Sequence, residues 1–204
     1  MTCSMSSPNV SSASPACSSE GLGRHAVVLA DTRRWLERAV IGLNLCPFAK
    51  AVLVKGQVHF AVCEAQDAPG VLERFERELQ ELLALAPQVR DTTLLVLPAA
   101  GLDFLSFCDL HTRAERLVRK RGLEGVLQVA SFHPDFVFGD APPEGISNFT
   151  NRSPYPTLHL LREASMDRAV AALPDPAAIY QANIDTLQRL GENGWRALGV
   201  GASR

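Results

Sequence analysis

The sequence predicts a single α/β or α+β domain with a mixed, mostly parallel sheet of about four strands flanked by helices. Stretches with strand periodicity alternate with stretches of helical periodicity, as they do in βαβ units. The run Thr92–Leu97 is apolar apart from its threonines, which is typical of a strand covered on both faces. The length of 204 residues, with 47% hydrophobic and 21% charged residues, suits one substantial domain.

The N-terminal segment is predicted to be a tail. Residues 1–30 are assigned to a disordered, Ser-rich tail, because residues 1–23 carry almost no large apolar side chains to bury. From Asp31 onward apolar residues recur at helical spacing, so a helix is predicted to begin there and to end before Pro47. The globular domain is assigned to residues 31–191, and residues 192–204 to a C-terminal tail.

Strands and helices then follow in alternation. The alternating pattern of residues 57–64 predicts a strand, and Pro69 suits the first turn of a strongly amphipathic helix. The apolar run Thr92–Leu97 is predicted to be the second strand. A helix over about residues 103–121 and a third strand over 125–132 complete this part of the chain.

A long polar connection, residues 133–156, separates the third strand from a fourth at 157–163. The connection shows no helical pattern, so the fourth strand is free to run antiparallel to the third. Two helices, at 166–173 and 175–190, are predicted to finish the domain.

Composition and charge limit the classes of partner. The formal net charge of −2 argues against duplex nucleic acid and anionic membranes as partners. No apolar run reaches the roughly 20 residues that a membrane-spanning helix needs, and the first residues lack the pattern of a secretory signal. The odd number of cysteines, without regular spacing, favours a reducing compartment, so a cytoplasmic location is expected. These cysteines are Cys3, Cys17, Cys46, Cys63 and Cys108.

The connection 133–156 concentrates the polar chemistry of the chain. In open α/β sheets, ligands bind beyond the carboxyl ends of the strands, and His133 directly follows a predicted strand. Arg152 offers a planar fork of donors that suits a carboxylate or phosphate. We therefore predict His133 and Asp135 as catalytic residues. The predicted substrate-binding residues are Asn148, Asn151, Arg152, Ser153, Tyr155 and His159. The alternative is that the Asn, Ser and Pro residues serve only as turn formers.

The sequence contains two further candidate sites, a group of possible metal ligands and the thiol of Cys46. His133, Asp135 and His159, with Glu163 or His111, could converge on a metal, but no metal-binding signature supports this, and no metal or cofactor is assigned. Cys46 lies near Lys50, which would lower a thiol pKa, and at a helix C-terminus, which would raise it. Cys46 is therefore either a reactive thiol or a buried structural cysteine.

Several long motifs together resemble a known family. The stretches GLNLCPFA at 42–49, FHPDF at 132–136 and NFTNRSPYPTLHLLRE at 148–163 are similar to the bacterial family catalogued as domain of unknown function 1415. The resemblance covers roughly residues 31–190. It implies a shared site at the marked positions but brings no established activity. These positions are Cys46, His133, Asp135, Asn151, Arg152, Ser153, Tyr155, His159 and Glu163.

The sequence is compatible with three functional hypotheses. The first is a small-molecule enzyme of hydrolase or transferase type, acting on an anionic substrate in a pocket formed by residues 133–156, with Arg152 holding the anion and His133 transferring a proton. The second is a non-catalytic module that binds a small anionic ligand or an acidic partner. The third is a thiol-based redox protein that uses Cys46.

Overall fold

A computed structural model of the chain describes residues 19–171 and 178–203. It contains four strands, β1 (Val58–Val62), β2 (Thr92–Val96), β3 (Leu127–Phe132) and β4 (Thr157–Arg162). Its α-helices are α1 (Ser19–Trp35), α2 (Ala49–Val54), α3 (Ala68–Ala84), α4 (Phe104–Lys120), α5 (Glu163–Ala171) and α6 (Ala178–Ala197). A π-helical segment, Leu36–Ile41, continues α1, and a 3₁₀ helix, Ile146–Asn151, lies in the long connection.

The strands form one open, mixed sheet in the order β1-β2-β4-β3. β1 and β2 are parallel, whereas β4 lies antiparallel between β2 and β3. Three of the four strands therefore run in one direction, but only one neighbouring pair is parallel. The fold is α+β, and the antiparallel β4 follows from a connection that contains no crossover helix.

Each face of the sheet packs against its own helices. Leu95, Leu158 and Leu160 face α3 and α4, where they belong to the larger apolar core. On the opposite face, Leu94, Phe60 and Phe132 pack against the end of α1 and the π-helical segment. Because neighbouring residues of a strand point to opposite faces, His159 on β4 lies on the α1 side, opposite Leu158 and Leu160.

In the part of the chain that the structure describes, helical structure extends beyond both predicted domain boundaries. Residues 19–30, assigned to the N-terminal tail, belong to α1, and Val28 is only 2% exposed. The apolar face of α1 includes two buried polar residues, Asp31 and Thr32. They resemble N-terminal capping residues in the sequence, but they lie within the helix rather than at its start. Residues 1–18 lie outside the described part of the chain.

At the C-terminal side, helical structure continues past the predicted boundary at residue 191. Gly191 breaks the helical geometry of α6 with a φ of 63°, as a glycine cap would, but the helix resumes and ends at Ala197. Residues 198–203 then pack on α1, with Val200 buried. Residues 172–177, where one predicted helix ends and the next begins, lie outside the described part of the chain. None of the helices in residues 19–171 and 178–203 combines the length and apolar character needed to cross a bilayer.

Candidate functional site

The connection 133–156 is fastened to the domain by its aromatic side chains. Phe136 packs edge-on against Phe104, and Phe149 packs edge-on against Trp195 of α6, with 5.2 Å between ring centroids in each pair. These contacts fill the edge of the sheet beyond the carboxyl end of β3, where the sequence predicted an open ligand crevice.

His133 is 2% exposed, and both of its ring nitrogens bond to backbone. Nδ1 accepts a hydrogen bond from the backbone N–H of Asp135 at 3.0 Å, so the proton lies on Nε2, which donates to the carbonyl of Leu102 at 3.1 Å. The ring packs between Phe104 and Phe107. This geometry makes His133 a residue that joins the connection to the start of α4, and it leaves no ring nitrogen for a substrate.

The predicted asparagines also bond to backbone. Asn148 is fully buried, and its amide accepts from the N–H of Phe138 and donates to the carbonyls of Pro142 and Pro143. Asn151 donates to the carbonyl of Ser131 at 3.2 Å. Both side chains therefore fix the path of the connection, as turn-forming residues do.

Arg152 and Asp135 lie at the surface of the connection. The guanidinium of Arg152 stacks on Phe149 at 4.2 Å and donates to the carbonyls of Phe136 and Pro143. Burial lowers the pKa of Arg152, and the nearby charge of Asp135 partly opposes that effect. Arg152 retains donors for an anion, but His133 faces away from it into the core.

Ser153 and Tyr155 bond away from any shared pocket. The hydroxyl of Ser153 donates to the carbonyl of Tyr155 at 2.6 Å, and the hydroxyl of Tyr155 donates to the buried carboxylate of Asp31 at 2.8 Å. Burial and the neighbouring carboxylate raise the pKa of Tyr155 to about 12. The residues predicted for one site in the connection thus serve separate structural contacts.

A different cavity brings two of the predicted residues together. We call it the α2 cleft; it lies between α2, the start of α5 and the α1 face of the sheet, and has a volume of about 460 Å³. Cys46 and His159 both line it. Apolar side chains make up most of its wall, namely Leu36, Pro47, Phe48, Ala49, Ala51, Val52, Val58, Pro87, Leu94, Leu161, Met166 and Ala169. The cleft lies at the amino-terminal ends of β1 and β2, which is the edge opposite to the one predicted.

An unusual backbone path places Cys46 at this cleft. The π-helical segment ends in a turn in which Asn44 has a left-handed φ of 55°. The backbone N–H groups of Leu45 and Cys46 both point to the carbonyl of Val40, at 2.9 and 3.4 Å. Asn183 of α6 donates to the carbonyl of Leu45 at 3.0 Å. The turn is therefore held from two sides, and its half-buried thiol lines the cleft.

His159 presents one unoccupied ring nitrogen. Thr92 donates its hydroxyl proton to the carbonyl of Leu160 at 2.6 Å, so its oxygen can only accept from Nε2 of His159, also at 2.6 Å. Nδ1 is then the unprotonated nitrogen, and no partner for it occurs among the described residues. Burial lowers the pKa of His159 to about 4, which keeps the imidazole neutral near pH 7.

The polar part of the cleft carries more positive than negative charge. Lys55, Arg162 and Arg168 line it together with a single carboxylate, that of Asp91. Asp91 accepts from Ser165 at 2.6 Å, and Ser165 in turn accepts from Arg168 at 2.9 Å. Arg162 is occupied by backbone carbonyls near the end of α3, whereas Lys55 and Arg168 are exposed.

A family model with the description "Protein of unknown function (DUF1415)" matches residues 27–197. The chain belongs to this family. Comparison with the curated proteins and with the solved structures found no match. The match includes α1 from residue 27, both sides of the α2 cleft and all of α6, so the side chains of the connection 133–156 and of the α2 cleft lie within the family's domain.

Sequence reasoning missed the wall residues of the cleft. It named Cys46 and His159 without joining them, because their proximity depends on β4 lying beside β2. It did not predict α2, whose six residues are too few for a clear helical period. Among residues 19–171 and 178–203, no group of three or more His, Cys, Asp or Glu side chains has a metal-binding arrangement.

The lowered pKa of His159 predicts a specific loss of stability in weak acid. Between the ordinary pKa of 6.5 and the folded value of about 4, the unfolded chain binds a proton that the folded protein does not. The free energy of unfolding should therefore fall as the pH drops through this window, by about 2–3 kcal/mol from this residue alone. Urea denaturation at pH 7, 5.5 and 4.5 measures it. His159→Gln, which retains a donor for Thr92, should show a smaller loss; an equal loss in both proteins would contradict the assignment.

Proposed function

We propose that the protein is a small-molecule enzyme, of hydrolase or transferase type, whose substrate is an organic anion with an apolar body bound in the α2 cleft. The observation that carries this proposal is the combination of largely apolar walls, an excess of positive charge and two reactive side chains, Cys46 and His159, in one cavity. The anionic substrate expected from the sequence is retained, and its site moves from the connection 133–156 to the cleft.

The size and lining of the cleft favour a small organic molecule. Its volume of about 460 Å³ falls within the range typical of ligand pockets. Ligand pockets are mostly apolar, with a few polar groups that fix the orientation of the ligand. Thr92, His159 and Ser165 supply such groups on the side formed by the sheet and α5.

The charge of the cleft favours an acid. Lys55 has no ion pair among the described residues, and Arg168 bonds only to the hydroxyl of Ser165 there. A carboxylate or phosphate at the mouth of the cleft would be attracted by both cations, with the single charge of Asp91 opposing it. The ligand predicted is therefore amphipathic, with its anionic group towards Lys55 and Arg168.

An enzyme is favoured over a thiol redox protein by the placement of the other thiols. Cys63 is buried on the α3 side of the sheet, and Cys108 is exposed on α4. Neither lines the α2 cleft, so the described residues supply no second thiol to form a disulfide with Cys46 there. A non-catalytic binding module would share the cleft but would not need a thiol and an unoccupied imidazole nitrogen in its wall.

Binding of an apolar anion tests the proposal directly. Anilinonaphthalene sulfonate, titrated at neutral pH by fluorescence, should bind the native protein at a single site. Ala51→Trp places a large side chain on the cleft wall and should remove most of this binding. Ala182→Trp, at an exposed position of α6 outside the cleft, is the matched control and should bind as the wild type does. Equal binding by both variants would overturn the proposed site.

Two lysines of one helical region test the charge. Lys55→Glu reverses a charge in the lining of the cleft, whereas Lys50→Glu makes the same change on α2 outside the lining. Because exposed ion pairs are worth about 0.2–1 kcal/mol, reversal at Lys55 should weaken binding of the sulfonate several-fold, and reversal at Lys50 should leave it nearly unchanged. Equal weakening would show attraction to net charge rather than to this cleft.

A further inference from the structure

We propose that Cys46 is a nucleophile for acyl transfer and that Nδ1 of His159 accepts its proton. The inference rests on the proposed function, because it uses the same cleft and the same anionic substrate, and it adds the reaction class: transfer of an acyl group from an ester or thioester of an organic acid. Three observations support it: the position of the Cys46 thiol, the unoccupied ring nitrogen of His159, and the hydroxyl of Thr92 that orients the His159 ring.

The thiol is positioned by backbone rather than by its own hydrogen bonds. The left-handed Asn44, the two N–H groups directed at Val40 and the amide of Asn183 together fix the turn that carries Cys46. Backbone in sparsely populated conformations persists only where the surroundings hold it, and such sites cluster at functional positions. Here the turn places a half-buried thiol in the wall of a ligand-sized cavity.

The imidazole has the arrangement of a general base. An activated nucleophile commonly has a base nearby and a third group that orients the base. Thr92 takes the third role, because its hydroxyl accepts from Nε2 of His159 and thereby fixes the tautomer that leaves Nδ1 unprotonated. Phe132 also packs against the ring, at 6.0 Å between centroids. His159 and Cys46 line the same cavity, and the structure shows no hydrogen bond between the thiol and the imidazole, so proton transfer to Nδ1 requires the two side chains to approach each other or a bridging water molecule.

The charges facing the cleft fit the proposed step. Asp91, Lys55, Arg162 and Arg168 are its charged residues, and none bonds to the imidazole. The half-buried His159 is neutral near pH 7, so the thiol proton moves to Nδ1 as the sulfur attacks, and no thiolate–imidazolium pair needs to form beforehand. Lys55 and Arg168 hold the acid end of the substrate.

The proposed acyl transfer requires no cofactor. The sulfur of Cys46 attacks the acyl carbon, a carbon–sulfur bond forms, and the bond from that carbon to the leaving oxygen or sulfur breaks. The proton passes from the thiol to Nδ1 and then to the leaving group. Water, or an acceptor hydroxyl or amine, next attacks the thioester carbon and gives its proton to Nδ1. The carbon–sulfur bond breaks, the sulfur takes that proton from Nδ1 to regenerate the thiol, and the free acid or the acylated acceptor leaves.

An activated ester that carries a carboxylate tests the nucleophile. The mono(nitrophenyl) ester of glutaric acid, mixed with the full chain, should release one equivalent of nitrophenolate in a burst and add one glutaryl group to the peptide containing Cys46, as read by mass spectrometry. Cys46→Ala and Cys46→Ser should both lose the burst and the adduct. Cys108→Ala, which removes an exposed thiol outside the cleft, should retain both.

His159→Gln tests the base with a readout that a structural role would not change. Near pH 7 the burst should slow by about 10²–10⁴-fold, the usual contribution of a general base. Above about pH 9, where a free thiol ionises unaided, the deficit should shrink. A wild-type burst rate in His159→Gln at neutral pH, or a deficit that is constant with pH, would overturn the role of His159.

Failure of this inference is separable from failure of the proposed function. If anilinonaphthalene sulfonate binds and responds to Ala51→Trp while the glutaryl group appears on Cys108 or on a lysine, Cys46 is not the nucleophile and the binding site stands. If Ala51→Trp binds the dye as well as the wild type does, the α2 cleft is not the binding site. Near-ultraviolet circular dichroism of each Cys46 and His159 variant confirms that a lost burst does not reflect unfolding.

Discussion

Glu78→Ala is expected to lower the free energy of unfolding by about 3–5 kcal/mol, the usual cost of removing one partner of a buried ion pair. The side chains of Glu78 and Arg90 are 2% and 6% exposed, and their contact is direct. Arg74 donates two further hydrogen bonds to Glu78, and Arg90 also donates to Thr93 at 2.9 Å. Without Glu78 the guanidinium of Arg90 would be a buried cation that keeps only its bonds to the hydroxyl of Thr93 and to the surface carboxylate of Glu81.

Thermal unfolding and urea denaturation at pH 7 measure the effect, which should appear as a fall in Tm of roughly 10 °C or more. Glu81→Ala is the matched control, because Glu81 contacts the same Arg90 at 3.0 Å but is 61% exposed. Glu81→Ala should lower the free energy of unfolding by less than about 1 kcal/mol. Similar losses in both variants would mean that Arg90 is hydrated in solution and that the pair is not a buried one.

Asp31→Ala is expected to lower the free energy of unfolding by about 3–4 kcal/mol. The substitution removes a buried carboxylate and leaves the several donors that bond to it without an acceptor. Asp31 accepts from the backbone N–H and the hydroxyl of Ser203, each at 2.7 Å, and from the hydroxyl of Tyr155, and it pairs with Arg34. Burial alone would raise the pKa of Asp31, but these hydrogen bonds outweigh it and lower the pKa. Its contribution is therefore present above the unfolded pKa of 3.8 and is lost as the pH falls through the lower folded value.

Chemical denaturation at pH 7 measures this loss, and Asp109→Ala provides the control. Asp109 lies on α4, its side chain is 69% exposed, and its contact with Arg113 is long at 3.9 Å. The control should change stability by less than about 0.5 kcal/mol. A small effect of Asp31→Ala would show that residues 198–203 are not docked on α1 in solution.

The sequence predicted best what depends on local pattern. The strand Thr92–Leu97 and the amphipathic helix after Pro69 were placed correctly, since periodicity and proline chemistry act within a few residues. The role of His133 was not predictable in this way. Its ring bonds to Leu102, which is 31 residues earlier, and whether a histidine is satisfied by backbone or free for catalysis depends on such distant partners.

The family motifs contain residues that the fold places in two different settings. Cys46 and His159 lie far apart in the sequence and line one cavity only because β4 enters the sheet beside β2. Asn148 and Arg152 lie in the same motif as His159, yet they shape the connection rather than the cleft. A motif records which residues matter, and only the fold separates those that hold a loop from those that line a cavity.

The partners of Asp31 impose an order on synthesis of the chain. Asp31 leaves the ribosome well before Ser203, which donates two of its hydrogen bonds. Domains begin to fold while they are being translated, so until Ser203 emerges the nascent domain carries α1 with Asp31 bonded only to Arg34 and, once it has been synthesised, Tyr155. The same contact bears on where the protein can be tagged for purification. A fusion after residue 203 would sit beside the Asp31 pocket, whereas an extension ahead of α1 leaves residues 198–203 free to dock.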